Sequence, residues 1–246
     1  MKRIIIGKNR LAFEDRQKVI ERILQTLSGL PPNDTGSIMS EIVFDLKGGY
    51  NQANLEKLFD SQILRLKNRG VNDNLLDRLR AKRHRVISRA STLNITFDRI
   101  PFLPVITKQQ ISLKDLLPLV IHDKAGATRL EHLRLSDIAD TPPAPYYIID
   151  IEDGAWLQHI APQEAEITVK QHRRSCLTYC EVVALSIHTD VLSNHWLMAL
   201  GSRYSNGVEE QFPELHLCAG KPVLDCRCLK DPPAKLFGTP SCSLRF

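Results

Sequence analysis

The chain has 246 residues, 43% of them apolar and 25% charged, with 33 Lys+Arg against 28 Asp+Glu and a formal net charge of +5. This balance excludes a disordered or fibrous protein, and the length allows one large domain or two small ones, either able to bury a core. Met1-Lys2-Arg3 and three isoleucines fall short of the apolar stretch of about 7–15 residues that a secretory signal needs. The best apolar run, residues 116–121, is broken by Pro118 and is far below the roughly 20 residues that span a bilayer. The expectation is a cytoplasmic protein with no membrane association and no cofactor, whose six Cys are thiols, metal ligands or transient redox partners rather than structural disulfides.

In chain order, residues 4–6 read as a strand. Residues 11–27 place Phe13, Ile20, Ile23, Leu24 and Leu27 at helical spacing, and Gly29 with Pro31-Pro32 stops the run. Residues 42–46 read as a strand. Asn51 is a good N-cap for a second helix carrying Leu55, Leu58, Phe59, Ile63 and Leu66. A third helix is predicted from Asn72-Asp73 onward, with Leu75, Leu76, Leu79, Val86 and Ile87 on its apolar face. Residues 95–97 and 102–106 read as extended. Ser112 and Asp115 open a short helix that Pro118 limits. After the proline-rich stretch 141–145, residues 146–151 read as a strand, and Pro162 sits at the first turn of a helix reaching about His172.

Thr178 and Glu181 form a T-x-x-E capping box, predicting a helix through Val182, Val183, Leu185, Ile187 and Leu192. Residues 215–218 and 223–228 read as a β-hairpin turning at Gly220-Lys221. The fold class is α+β, with a mainly helical basic region over residues 1–92 and a mixed body over 93–246 ending in the hairpin.

Three segments carry a resemblance. They are Ile100-Pro101-Phe102-Leu103-Pro104-Val105-Ile106, the Thr178/Glu181 helix followed by Leu200-Gly201-Ser202-Arg203, and the ending Gly238-Thr239-Pro240-Ser241-Cys242. Together they are similar to an uncharacterised bacterial family of unknown function, over roughly the last 150 residues. The chain departs from that pattern at Cys226-Arg227-Cys228, where an aromatic-flanked Cys is expected. The resemblance implies continuity of fold and no activity.

The sharpest physical signal is charge distribution. Between residues 65 and 89 nine Lys/Arg and two Asp give a local net of +7, which leaves the rest of the chain at −2. On one continuous helix Arg78, Lys82, Arg85 and Arg89 would form a row about 16 Å long. Such a row suits an anionic partner, a nucleic acid or an acidic protein; a solvated helix face is the plain alternative. Arg83 falls inside the apolar arc, so it must meet a carboxylate, snorkel, or bind an anion in a cleft.

Other constellations are weaker. Gly201, Ser202 and Arg203, with Cys228, Gly238, Ser241 and Cys242, could form a ligand loop for a small enzyme or anion site. Cys176/Cys180 fits zinc-ligand spacing only at its loose end, Cys226/Cys228 lie two apart on one strand face, and core thiols are the favoured reading, so no metal is assigned. With the hairpin turning at Gly220-Lys221, His216 would stand opposite Asp225 as a polar pair able to orient a base. The leading expectation is a non-enzymatic protein binding an anionic partner; an enzyme or ligand site, and a scaffold or homo-oligomer subunit, are the alternatives.

Overall fold

The computed structural model describes residues 50–246, apart from residues 51, 94, 96–98, 122–125, 129, 131–134, 206–208 and 234. The elements expected at residues 4–6, 11–27 and 42–46 lie outside the described residues. The fold is α+β: helices first, then strands and helices intermixed, then strands.

Helix α1 (Gln52–Asn68) buries Leu55, Phe59, Ile63 and Leu66 at the spacing the sequence shows. Next come α2 (Asp73–Arg80) and α3 (Arg83–Ser91). The single helix expected here is two, and the break falls at Ala81-Lys82. Both residues keep right-handed helical angles, and Lys82 offers no side-chain cap to α3. The apolar positions therefore continue across the joint, with Leu75, Leu76 and Leu79 of α2 and Val86, Ile87 and Ala90 of α3 all buried.

β1 (Ile100–Val105) and β4 (Tyr146–Glu152) pair antiparallel, with Phe102 opposite Ile149. Between them lie α4 (Leu113–Leu116), a 3-10 turn at Leu117–Leu119, and the short strands β2 (Ala127–Thr128) and β3 (Ser136–Asp137). Ser112 caps α4 by accepting from the Asp115 amide, and Pro118 falls inside the 3-10 turn. Then come a 3-10 turn at Ala155–Leu157, α5 (Pro162–Gln171), β5 (Ser175–Cys176) and α6 (Tyr179–His188).

The Thr178–Glu181 capping box is formed at the start of α6. The helix is shorter than the sequence suggested. Thr189 turns extended and its hydroxyl donates to the Leu185 carbonyl, so Val191–Ser193 form a separate 3-10 turn.

The remaining strands are β6 (Trp196–Met198), β7 (Ser202–Ser205), β8 (Glu210–Cys218), β9 (Lys221–Cys228), β10 (Phe237–Gly238) and β11 (Ser241–Arg245). The first sheet is antiparallel in the order β1-β4-β11-β5. In the second, β8 is central, flanked by β6 and β7 on one edge and β9 on the other; β10, β3 and β2 extend these.

The alternation of β4 decides the layering. Tyr147 faces the helices and stacks on Phe59 of α1, with ring centroids 5.7 Å apart. Tyr146 points the other way, donating its hydroxyl to Glu181 of α6 at 3.0 Å. One apolar cluster runs from Leu55 through β1, β4 and α6 to Leu215 and Leu224 of the second sheet. A smaller one gathers Leu157, Ala165, Val169, Met198, Phe212 and Phe237.

The β8–β9 register differs from the expected one. The turn is Ala219-Gly220, both with positive φ (48° and 71°), as a two-residue primed turn requires. Cys218 therefore pairs with Lys221, His216 stands opposite Val223, and Asp225 opposite Glu214. The expected direct His216–Asp225 rung is replaced by a diagonal relation on the same face, because the hairpin closes two residues tighter.

Candidate anionic-partner interface

The basic residues of α2 and α3 divide into two sets. Arg80 donates to Asp77 at 2.7 Å. Arg83 holds Asp60 of α1 through two bonds of 3.2 Å and lies 3.5 Å from Glu56, with its guanidinium over the Phe59 ring. Its arginine is stabilised in the charged form chiefly by the Asp60 hydrogen bond. The cationic intruder on the apolar arc is thus neutralised by two carboxylates at the rim of the core.

Arg78, Lys82, Arg85 and Arg89 form the other set, and none has a carboxylate partner among the described residues. Arg78 donates to the Ala144 carbonyl at 2.7 Å, which pins its guanidinium. Arg85 lies 4.7 Å from the centre of the Phe246 ring. The Lys82 amine is pushed down by partial burial first, then by the positive fields of Arg85 and Arg78. Lys82 thus feels the charges of both helices across the break at Ala81-Lys82. Like charges gather there, and among the described residues no carboxylate compensates them.

Arg65 of α1 and Arg69 just after it also lack a carboxylate among the described residues, but backbone carbonyls occupy them. Arg65 donates to Ile187 at the end of α6, and Arg69 donates to Leu119 and Val120 beyond the 3-10 turn. Both sit where helix-end carbonyls favour a cation.

The residues expected to form a ligand loop are turned inward. Gly201 donates to the Leu177 carbonyl, Leu177 to Pro240, and Ser241 pairs with Cys176, so loop and tail meet across residues 176–177. A Cβ on Gly201 would come within 2.5 Å of the Cys176 carbonyl oxygen. Ser202 is fully buried, donating to Asp137 at 2.6 Å and accepting from the Tyr179 amide. Arg203 is spent on Glu166, Glu210 and the Leu200 carbonyl. Ser241 accepts from Arg174, Gly238 packs against His195 and Gly154, and Cys242 is buried beside Ser175. Cys228 is apart from them, half-buried opposite Gln211. Burial pushes the thiols of Cys176, Cys180 and Cys242 up to about 12 and that of Cys226 to about 11. These four are therefore thiols, not thiolate nucleophiles, near neutral pH.

Two buried charge networks were not foreseen from the sequence. At the end of β4, Arg174 donates to Asp150 at 2.7 Å and to Ser241 at 2.8 Å, while Arg99 bridges Asp150 and Glu152. Trp156 donates to Glu152 at 2.9 Å. Two guanidinium groups thus balance two carboxylates. Beside it, the fully buried Glu181 accepts from Arg245 through both oxygens, from Tyr146, and from the Thr178 amide. The signal that could have found the first network is the run Tyr146-Tyr147-Ile148-Ile149-Asp150-Ile151-Glu152: two acids on one face of a buried strand demand cationic partners.

Residues 62–228, more than half of the chain, match the family of unknown function DUF5701. The chain belongs to that family. The DUF5701 match begins within α1, so it takes in the basic helices that the sequence resemblance had left aside, and it ends at Cys228, before the Gly238–Cys242 ending. No curated protein and no solved structure matches the chain. Among the described residues of this DUF5701 chain, no helix is long and apolar enough to cross a membrane.

Proposed function

We propose that this DUF5701 protein binds an anionic macromolecule, in the first instance a nucleic acid, through Arg78, Lys82, Arg85 and Arg89. The carrying observation is the contrast within one helical pair: Arg80 and Arg83 meet carboxylates of the same chain, whereas these four meet none among the described residues. Gathering like charges raises the free energy of the unbound protein, and an anion relieves it. Pinning of Arg78 on Ala144 and of Arg85 on Phe246 also lowers the entropy lost on binding. The face carries charge and little aromatic surface, which suits contact with a phosphate backbone rather than base stacking.

Fluorescence anisotropy with labelled duplex and single-stranded oligonucleotides tests this reading. Binding at low salt is expected to weaken steeply, with a log–log slope of about −3 to −4 for four phosphate contacts. Changing Arg78, Lys82, Arg85 and Arg89 together to Glu abolishes it. No complex with either nucleic acid at low salt would dismiss the nucleic acid, and an acidic polypeptide that bound with the same dependence on these four residues would take its place.

A further inference from the structure

A second constellation lies on the β8–β9 hairpin, independent of the basic helices. Glu214 sits where the outer face of the second sheet meets the smaller apolar cluster; its side chain is 14% exposed, and Oε2 is buried with no hydrogen-bond partner. From β9, Asp225 stands directly opposite it. Arg227, also on β9, brings Nη1 to 4.0 Å from Oε2, with its guanidinium over the Phe237 ring. Along β8, His216 Nδ1 is 3.9 Å from Oε1. Beyond β9, Asp231 lies 3.2 Å from Arg227 Nε. The neighbouring strands β6 and β10 contribute no charge: Met198 is opposite Glu214, and the Trp196 ring meets His216 at a tilt and Phe237 edge-on, with centroids 5.0 Å from each.

We propose that Glu214 is a proton switch for this face: one proton decides whether its carboxyl rests neutral against the apolar cluster or, ionised, draws in Arg227 and His216 and repels Asp225. The geometry is poised between the two states. The Arg227 guanidinium and the His216 ring both stand just beyond hydrogen-bond distance, the nearer acid is directly across the ladder, and the buried oxygen faces a medium that disfavours charge. Burial is also the main reason that the Glu214 carboxyl is pushed up to about 7; Asp225 and Asp231 add to the rise, and Arg227 opposes it. A small change in proton activity near neutrality therefore redistributes charge over a surface carrying Trp196, His216 and Arg227. Because the Trp196 ring lies 5.0 Å from that of His216, the event has an optical reporter in the protein itself.

The test is a carbon-13 titration of side-chain carboxyls in the full chain, with Glu214 assigned by comparison with Glu214→Gln. It is paired with Trp196 emission in a Trp156→Phe background. The expected result is a Glu214 midpoint within about one unit of 7, matched by a change in Trp196 emission and in the Arg227 Nε resonance, and lost in Glu214→Gln. If Glu214→Gln does not fold, Asp225→Asn serves instead and is expected to lower the midpoint by removing the opposing charge. A midpoint below about 5, close to that of an ordinary glutamate, overturns the proposal. So does a midpoint near 7 with emission and Arg227 unmoved, since the proton would then control nothing around it.

Discussion

His188, the last residue of α6, buries both ring nitrogens without a hydrogen-bond partner, although the residue as a whole is half-buried. Burial, then the fields of Arg65 and Arg69, push its imidazole down to about 3. In the unfolded chain the ring takes a proton near its ordinary value of about 6.5. Between these values the folded state binds fewer protons than the unfolded, so stability rises with pH and is lost as pH falls below about 6.5. Urea unfolding from pH 7.5 to 4.5 should show this loss, and His188→Leu should flatten it; an unchanged slope would place the acid lability elsewhere. Glu214 runs with the opposite sign. Its folded value of about 7 exceeds that of a free glutamate, so its contribution is full below about 4.5 and is lost as pH rises through about 7. Relative to Glu214→Gln, the native protein should lose stability over that window.

At the scale of elements, α6 is the buttress between the two sheets, and its start is over-determined. Thr178 accepts from the Glu181 amide, Glu181 accepts from the Thr178 amide, Ser202 accepts from the Tyr179 amide, and Arg245 of β11 grips the Glu181 carboxylate. The capping box thus joins a helix end to both sheets rather than closing a helix alone. Thr178→Ala should cost about 0.5–2 kcal/mol, as for other lost caps. Arg245→Met should cost about 3–5 kcal/mol, because it leaves the buried Glu181 charge uncompensated. Chemical denaturation measures both; equal losses would mean that the ion pair adds nothing to the cap. The α2–α3 joint follows a different logic. Without a side-chain cap at Lys82, continuity rests on the buried apolar residues of both helices, and Lys82 still feels Arg78 and Arg85 across the break.

For the whole molecule, the charge distribution sets a cost in the unbound state. The quartet Arg78, Lys82, Arg85 and Arg89 lacks internal acids among the described residues, so neutralising it with Gln should leave thermal stability at low salt equal or higher while weakening nucleic-acid binding. Arg83→Gln should lower thermal stability, because it strips Asp60 and Glu56 of their shared cation. A quartet variant that melts markedly lower would show that these residues hold the fold together instead.

Local pattern was enough to reveal α1 by periodicity, the start of α6 by its capping box, α5 by Pro162 and the strand β4 by its apolar run, because each rests on interactions within a few residues of chain. The +7 segment and the intruding Arg83 were equally legible, since composition and spacing are local properties. The sequence did not reveal the break between α2 and α3 or the early end of α6, because a backbone turn depends on local angles that several sequences share. The hairpin register needed Ala219 and Gly220 to adopt positive φ together, and that choice moved His216 and Asp225 off the same rung. The ligand loop became an internal seam because Glu166, Glu210, Asp137 and Arg174, distant in sequence, arrived to satisfy it. Which basic residues are neutralised and which stay open was decided by the same long-range meetings, and a partner distant in the chain leaves no mark on the residues it will meet.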